Sequence, residues 1–161
     1  MIIFINGSIN SGKSTIAKIL AQEIKESAVV EIDSLSAFIE WMPIEEKIEL
    51  NLENAVSVIK NFTKRKFDVI VPYPLSQKNY EYLTEKLKDD AEILVFTLNP
   101  KIEEASKNRG ERELNEWEKE RIKHHYSIGI NNPAFGEVID NTNQTPRETA
   151  NVILSKLNKQ K

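Results

Sequence analysis

The sequence contains no cysteine among its 161 residues. That removes disulfides, thiolate zinc sites, iron–sulfur clusters and a cysteine nucleophile. Histidine is nearly as scarce, with two adjacent residues, His124 and His125. Neighbouring helix positions point in different directions, so the pair has no i,i+4 metal spacing. No apolar run approaches the ~20 residues that span a bilayer. The opening Met1-Ile2-Ile3-Phe4-Ile5-Asn6 lacks a basic leader region, which predicts no secretion signal. Excess positive charge is missing too. Lys and Arg total 22 against 25 Asp and Glu, a net charge of −3. That balance lacks the electrostatic footprint of a general nucleic-acid binder. These absences predict a soluble cytoplasmic protein with no membrane partner. Its chemistry must rest on carboxylates, Lys, Arg, hydroxyls, or bound ions and cofactors.

What is present is a globular balance: 40% hydrophobic and 29% charged residues. No repeat, low-complexity tract or linker divides the chain, which predicts one domain over 1–161. Apolar runs at 2–5, 28–32, 67–71, 93–98 and 137–139 read as strands. Each is nearly all apolar, as expected for strands covered on both faces. Helical periodicity fills the intervals. Ile16, Ile19, Leu20 and Ile24 form one stripe. Ile48, Leu52, Ala55, Val56, Ile59 and Phe62 form another, and Tyr80, Leu83 and Leu87 a weaker one. Asn99-Pro100 reads as a cap and first helical residue, and Thr145-Pro146-Arg147-Glu148 as a capping box. Trp41 and Trp117 read as packing residues. The alternation predicts an α/β fold, a parallel sheet with helices on both faces.

One motif carries chemistry by itself. Gly7-Ser8-Ile9-Asn10-Ser11-Gly12-Lys13-Ser14 fits G-x-x-x-x-G-K-[ST], the Walker A pattern, between a strand and an amphipathic helix. Gly7 and Gly12 allow a tight turn and close backbone approach to an anion. Successive amides from Ser8, Asn10 and Ser11 then form a nest, and the helix N-terminus adds positive potential. Lys13 is expected to reach the β- and γ-phosphates, Ser14 to ligate Mg²⁺, and Thr15 to meet the α-phosphate.

Phosphoryl transfer also needs a metal and a positioned acceptor. Asp33 follows the second strand at the edge that carries the phosphate loop. It is read as proton acceptor or metal carboxylate, or else as the N-cap of a helix at 34–40. The third strand leads into Pro72-Tyr73-Pro74, where a Walker B strand would end in Asp. Asp68 lies at the strand's other end. Tyr73 and its prolines read as a pocket wall or a simple strand exit. Arg109-Gly110-Glu111-Arg112 suits a lid near 107–127 that closes over phosphates, although the abundant Glu also fits a solvated helix. Arg121 lies further along that segment, facing inward or outward.

These segments, with Ile32-Asp33-Ser34-Leu35, Trp41-Met42-Pro43 and Val138-Ile139-Asp140-Asn141-Thr142, resemble small P-loop kinases of the shikimate kinase and nucleoside monophosphate kinase type. Chloramphenicol phosphotransferase-like proteins are the nearest resemblance. It implies a three-layer P-loop NTPase fold with a five-stranded parallel sheet of order 2-3-1-4-5. It also implies an arginine lid using Arg109 and Arg112, and ATP with Mg²⁺ as donor. Asp33 takes the position of the residue that activates the acceptor hydroxyl, and Pro146 a place beside the adenine. Pro72 departs from the family pattern. The resulting expectation is an ATP-dependent phosphotransferase acting on a small-molecule hydroxyl. The alternatives are a non-catalytic ATP- or GTP-binding switch and a nucleoside monophosphate kinase.

Overall fold

The computed structural model describes residues 1–108 and 113–159. Among them, five strands form one all-parallel sheet in the order β2-β3-β1-β4-β5. The strands are β1 (Ile2–Gly7), β2 (Ser27–Val29), β3 (Asp68–Pro72), β4 (Ile93–Leu98) and β5 (Glu137–Ile139). The helices are α1 (Lys13–Glu23), α2 (Ile44–Thr63), α3 (Gln77–Leu87), α4 (Ile102–Ala105), α5 (Glu116–Ser127) and α6 (Pro146–Lys159). A 3₁₀ segment, Ile32–Phe38, joins β2 to α2. The expected strand order and fold class are both present.

The central strand explains its own composition. All six residues of β1 are buried, so neither face tolerates polar alternation. Phe4 faces one core with Val71, Ile59 and Leu83 from β3, α2 and α3. Ile3 and Ile5 face another with Leu20 from α1 and Ile153 from α6. Register runs Ile2 opposite Val69 and Ile93, through Ile5 opposite Pro72 and Phe96. Truncating Phe4 to Ala would therefore cost ~3–5 kcal/mol.

Several boundaries differ from expectation. β2 stops at Val29, because the chain passes into the 3₁₀ segment at Ile32. Asp33 therefore lies inside that segment's first turn. The residue at its N-terminal boundary is Glu31, with no side-chain cap. Asn99-Pro100 does not open a helix. Asn99 Oδ1 accepts from Asn131 Nδ2 at 2.8 Å, and α4 begins two residues later with Lys101 as its cap. The Thr145–Glu148 capping box forms as expected: Thr145 N donates to Glu148 Oε2 and Glu148 N to Thr145 Oγ1. Trp41 and Trp117 are 83% and 68% exposed, so neither packs in the core.

Candidate nucleotide and phosphoryl-transfer site

Parallel strands bring all their carboxyl ends to one edge, where such folds form their crevices. Here β1 ends at Gly7 and α1 begins at Lys13, with the phosphate loop between them. Gly7 has φ +139°, and a Cβ there would lie 2.7 Å from both Leu98 O and Ser11 Oγ. Gly12 caps α1 with φ +103° in the left-handed region. Both conformations favour glycine, as the spacing of the motif requires.

A cleft of about 450 Å³ opens beside the loop. Its walls include Asn10, Gly12, Lys13, Ser14, Thr15, Asp33, Pro72 and Pro146, eight positions from four chain segments. The structure thus brings Asp33 and Pro146 to the loop lysine, as the sequence suggested. Gly7, Ser8 and Ser11 are buried beneath the loop, so only their backbones can serve a phosphate. Lys13 Nζ donates to Ser8 O at 2.7 Å. Arg109 and Arg112 lie outside the described residues.

The Asp33 carboxylate has no hydrogen bond among the described residues, while its backbone carbonyl accepts from Ser36 Oγ at 2.7 Å; its N-cap reading has failed. Burial in the cleft raises its pKa above the ordinary carboxylate value of 3.8. The positive charge of Lys13 pulls it down, and Glu31 adds to the rise. The side chain still meets solvent at the cleft mouth, so water screens part of each effect. Tyr73 is 7% exposed. Burial pushes its hydroxyl up to about 12, the charge of Asp33 adds, and Arg121 opposes. Tyr73 is therefore a neutral, nearly buried hydroxyl within electrostatic reach of Asp33. Arg121 is exposed on α5, yet its charge reaches Tyr73 and His125.

Pro72 occupies the cleft wall where a Walker B carboxylate would stand. Asp68 sits at the opposite sheet edge, 2.5 Å from the Met1 amine. No group of three or more His, Cys, Asp or Glu suited to a metal occurs among the described residues. Two carboxylates, Glu31 and Asp33, and two hydroxyls, Ser14 and Thr15, line the cleft. That set fits Mg²⁺, which keeps several waters and takes its remaining oxygens from substrate phosphates.

Sequence reasoning missed three supports. Asn6 is fully buried at the end of β1. Its Nδ2 donates to Thr97 Oγ1 (3.0 Å) and Ile130 O (3.1 Å), and its Oδ1 accepts from Leu75 N (2.7 Å). Asn10 adopts φ +60°, and its Nδ2 donates to Ala105 O and Lys107 O, both at 2.8 Å. Asn141 Nδ2 donates to Ser11 O at 3.0 Å, tying the loop after β5 to the phosphate loop. A polar residue closing an otherwise apolar strand was the available signal for Asn6.

No family model matches the chain, and no curated protein matches it in sequence. Solved structures do match in shape. A sugar kinase from Janibacter superposes with TM-score 0.72 at 18% identity, covering 98% of this chain and 94% of that one. The Deinococcus radiodurans tunicamycin resistance protein gives 0.69 at 18%, covering 97% and 94%. A gluconokinase from Sinorhizobium meliloti gives 0.69 at 15%, covering 98% and 91%. At these identities the likeness is one of fold, shared with these proteins over nearly the whole chain.

Proposed function

We propose that the protein is an ATP-dependent phosphotransferase that moves the γ-phosphoryl group to a hydroxyl of a small molecule, with Mg²⁺ as cofactor. The observation that carries this reading is Asp33. It is a carboxylate with no hydrogen bond among the described residues, in the same cleft as Lys13 and the N-terminus of α1.

The amides from Gly7 to Thr15 would cradle the phosphates, and Pro146 would face the base. Lys13 would exchange its bond to Ser8 O for charge-assisted bonds to the β- and γ-phosphates. Ser14, with Asp33 acting only through water, would hold Mg²⁺, which neutralises phosphate charge when bound. Asp33 would take the proton from the acceptor hydroxyl as that oxygen bonds to the γ-phosphorus. The bond to the bridging oxygen breaks, and ADP leaves with the electron pair. A carboxylate whose pKa is raised is a stronger base for this step. Arg109 and Arg112 would close over the transferring group, with Arg121 adding positive potential from α5.

The shared fold with a sugar kinase and a gluconokinase supports a small-molecule acceptor. Arg65, the only arginine near the acceptor region in sequence, lies in the turn between α2 and β3, where its Nη1 donates to Asn61 O. That turn is at the sheet edge opposite the cleft, which weighs against a nucleoside monophosphate acceptor. Pro72 favours one second reading, a nucleotide-binding switch without transfer. A product-detecting assay decides between them. The protein would be incubated with ATP–Mg²⁺ and panels of nucleosides, sugars, hydroxy acids and hydroxylated antibiotics. Transfer that disappears in Lys13→Ala supports the kinase. Tight nucleotide binding with no product from any acceptor supports the switch.

A further inference from the structure

Lys13 and Asp33 account for the proposed chemistry and leave His125 unexplained. His125 is 2% exposed on α5, and its Nδ1 lies 3.3 Å from Ser8 Oγ. Ser8 is itself fully buried, and its carbonyl accepts from Lys13 Nζ. One loop residue therefore meets the histidine with its hydroxyl and the loop lysine with its carbonyl. Burial comes first in holding the ring's pKa down to about 4. The charges of Arg121 and His124 on its own helix, and of Lys13 on α1, push the same way. The ring is thus neutral at pH 7, with one nitrogen to donate and one to accept.

A histidine that only filled space would be buried without a polar partner, or with one remote from the site. This one bonds a hydroxyl inside the nucleotide motif, across 117 residues of chain. We propose that His125 is a positioning residue of the nucleotide site: through Ser8 it holds the phosphate loop in the shape that receives nucleotide. The inference rests on the nucleotide-binding part of the reading above. Two neighbouring contacts bind the same region to the loop. Asn10 grips the chain at Ala105 and Lys107, before α5. Asn6 grips it at Ile130, after α5. His125 supplies the bond from the helix itself.

The test is a double-mutant cycle of Ser8→Ala and His125→Leu in the full chain. Affinities for Mg²⁺–ADP and a non-hydrolysable ATP analogue are measured by calorimetry, well below each variant's melting temperature. Each single change should weaken binding about 3–10-fold, the range of one hydrogen bond. The double variant should be no more than about twofold worse than the weaker single, because both remove the same contact. His125→Asn, whose amide can stand where Nδ1 stands, should recover most of the affinity. If His125→Leu fails to fold, Ser8→Ala with His125→Asn completes the comparison: Asn rescue must then vanish in the Ser8→Ala background. Losses that multiply, or variants that melt earlier with unchanged affinity, overturn the inference and leave the kinase reading intact. A wild-type protein that binds neither nucleotide overturns both.

Discussion

Asn6→Ala tests whether the site is held by buried hydrogen bonds or by packing alone. Asn6 makes three bonds with no solvent exposure, to Leu75 N, Thr97 Oγ1 and Ile130 O. Alanine removes all three and strands their partners where water has little access. Each bond is worth ~1 kcal/mol net, and an orphaned buried partner costs more, so the loss should be about 3–5 kcal/mol. A domain of this size shifts by ~2–4 °C per kcal/mol, so Tm should fall by about 6–20 °C. Urea unfolding should show the same loss with an unchanged slope, since the surface exposed on unfolding hardly changes. Thr97→Val, which removes one of the three bonds, sets the scale at about 1 kcal/mol. An Asn6→Ala loss below about 1 kcal/mol, or equal to that of Thr97→Val, would refute the reasoning.

Other expectations follow from the cleft. Asp33→Asn should lower kcat by about 10²–10⁴-fold with little change in ATP affinity, read by steady-state kinetics and calorimetry; full activity removes Asp33 from its role. Because burial raises the Asp33 pKa, the acid limb of the wild-type rate profile should lie above pH 3.8, with activity rising as the proton leaves. Gly7→Ala should abolish nucleotide binding, since its Cβ would sit 2.7 Å from Leu98 O. Gly12→Ala meets nothing nearer than Ile16 Cδ1 at 3.8 Å and should weaken binding less in the same titration. His125 has a folded pKa lowered from 6.5 to about 4, so its neutral form favours the fold. That contribution is complete above pH 6.5 and is lost as pH falls toward 4; His125→Asn should flatten this part of the stability curve in pH-resolved urea melts.

The strands were legible because burial on both faces leaves an unbroken apolar signature. β4 matches its expected bounds for that reason; β5 matches too, although it is an edge strand with Val138 41% exposed. β2 was overextended: Val30 and Ile32 are apolar and buried, but they serve the bend into the 3₁₀ segment, and periodicity cannot separate the two. The Thr145 cap was readable because its partner, Glu148, lies three residues away. Asn99 looked equally like a cap, and its real partner, Asn131, is a long-range contact with no local signature. The same limit hid His125. Adjacent histidines on a helix carry no metal spacing, and only the folded chain shows that one of them meets Ser8. The turn between β1 and α1 was legible because its two glycines are required by positive φ at Gly7 and Gly12.

The placement of β1 has a consequence for how the protein comes into being. The strand that carries the phosphate loop pairs with β3 and β4, whose residues follow it by roughly 67 and 91 positions in register. Its loop cannot be clamped on both sides until Leu98 is in place beside Gly7. Non-local pairing of this kind slows folding. Under the proposed function it would also make nucleotide binding a late event, sensitive to completion of the sheet's centre. A nucleotide that binds only the finished loop would then stabilise the native state by mass action. Cellular nucleotide supply would thereby influence how much of the chain persists folded, before any phosphoryl group is transferred.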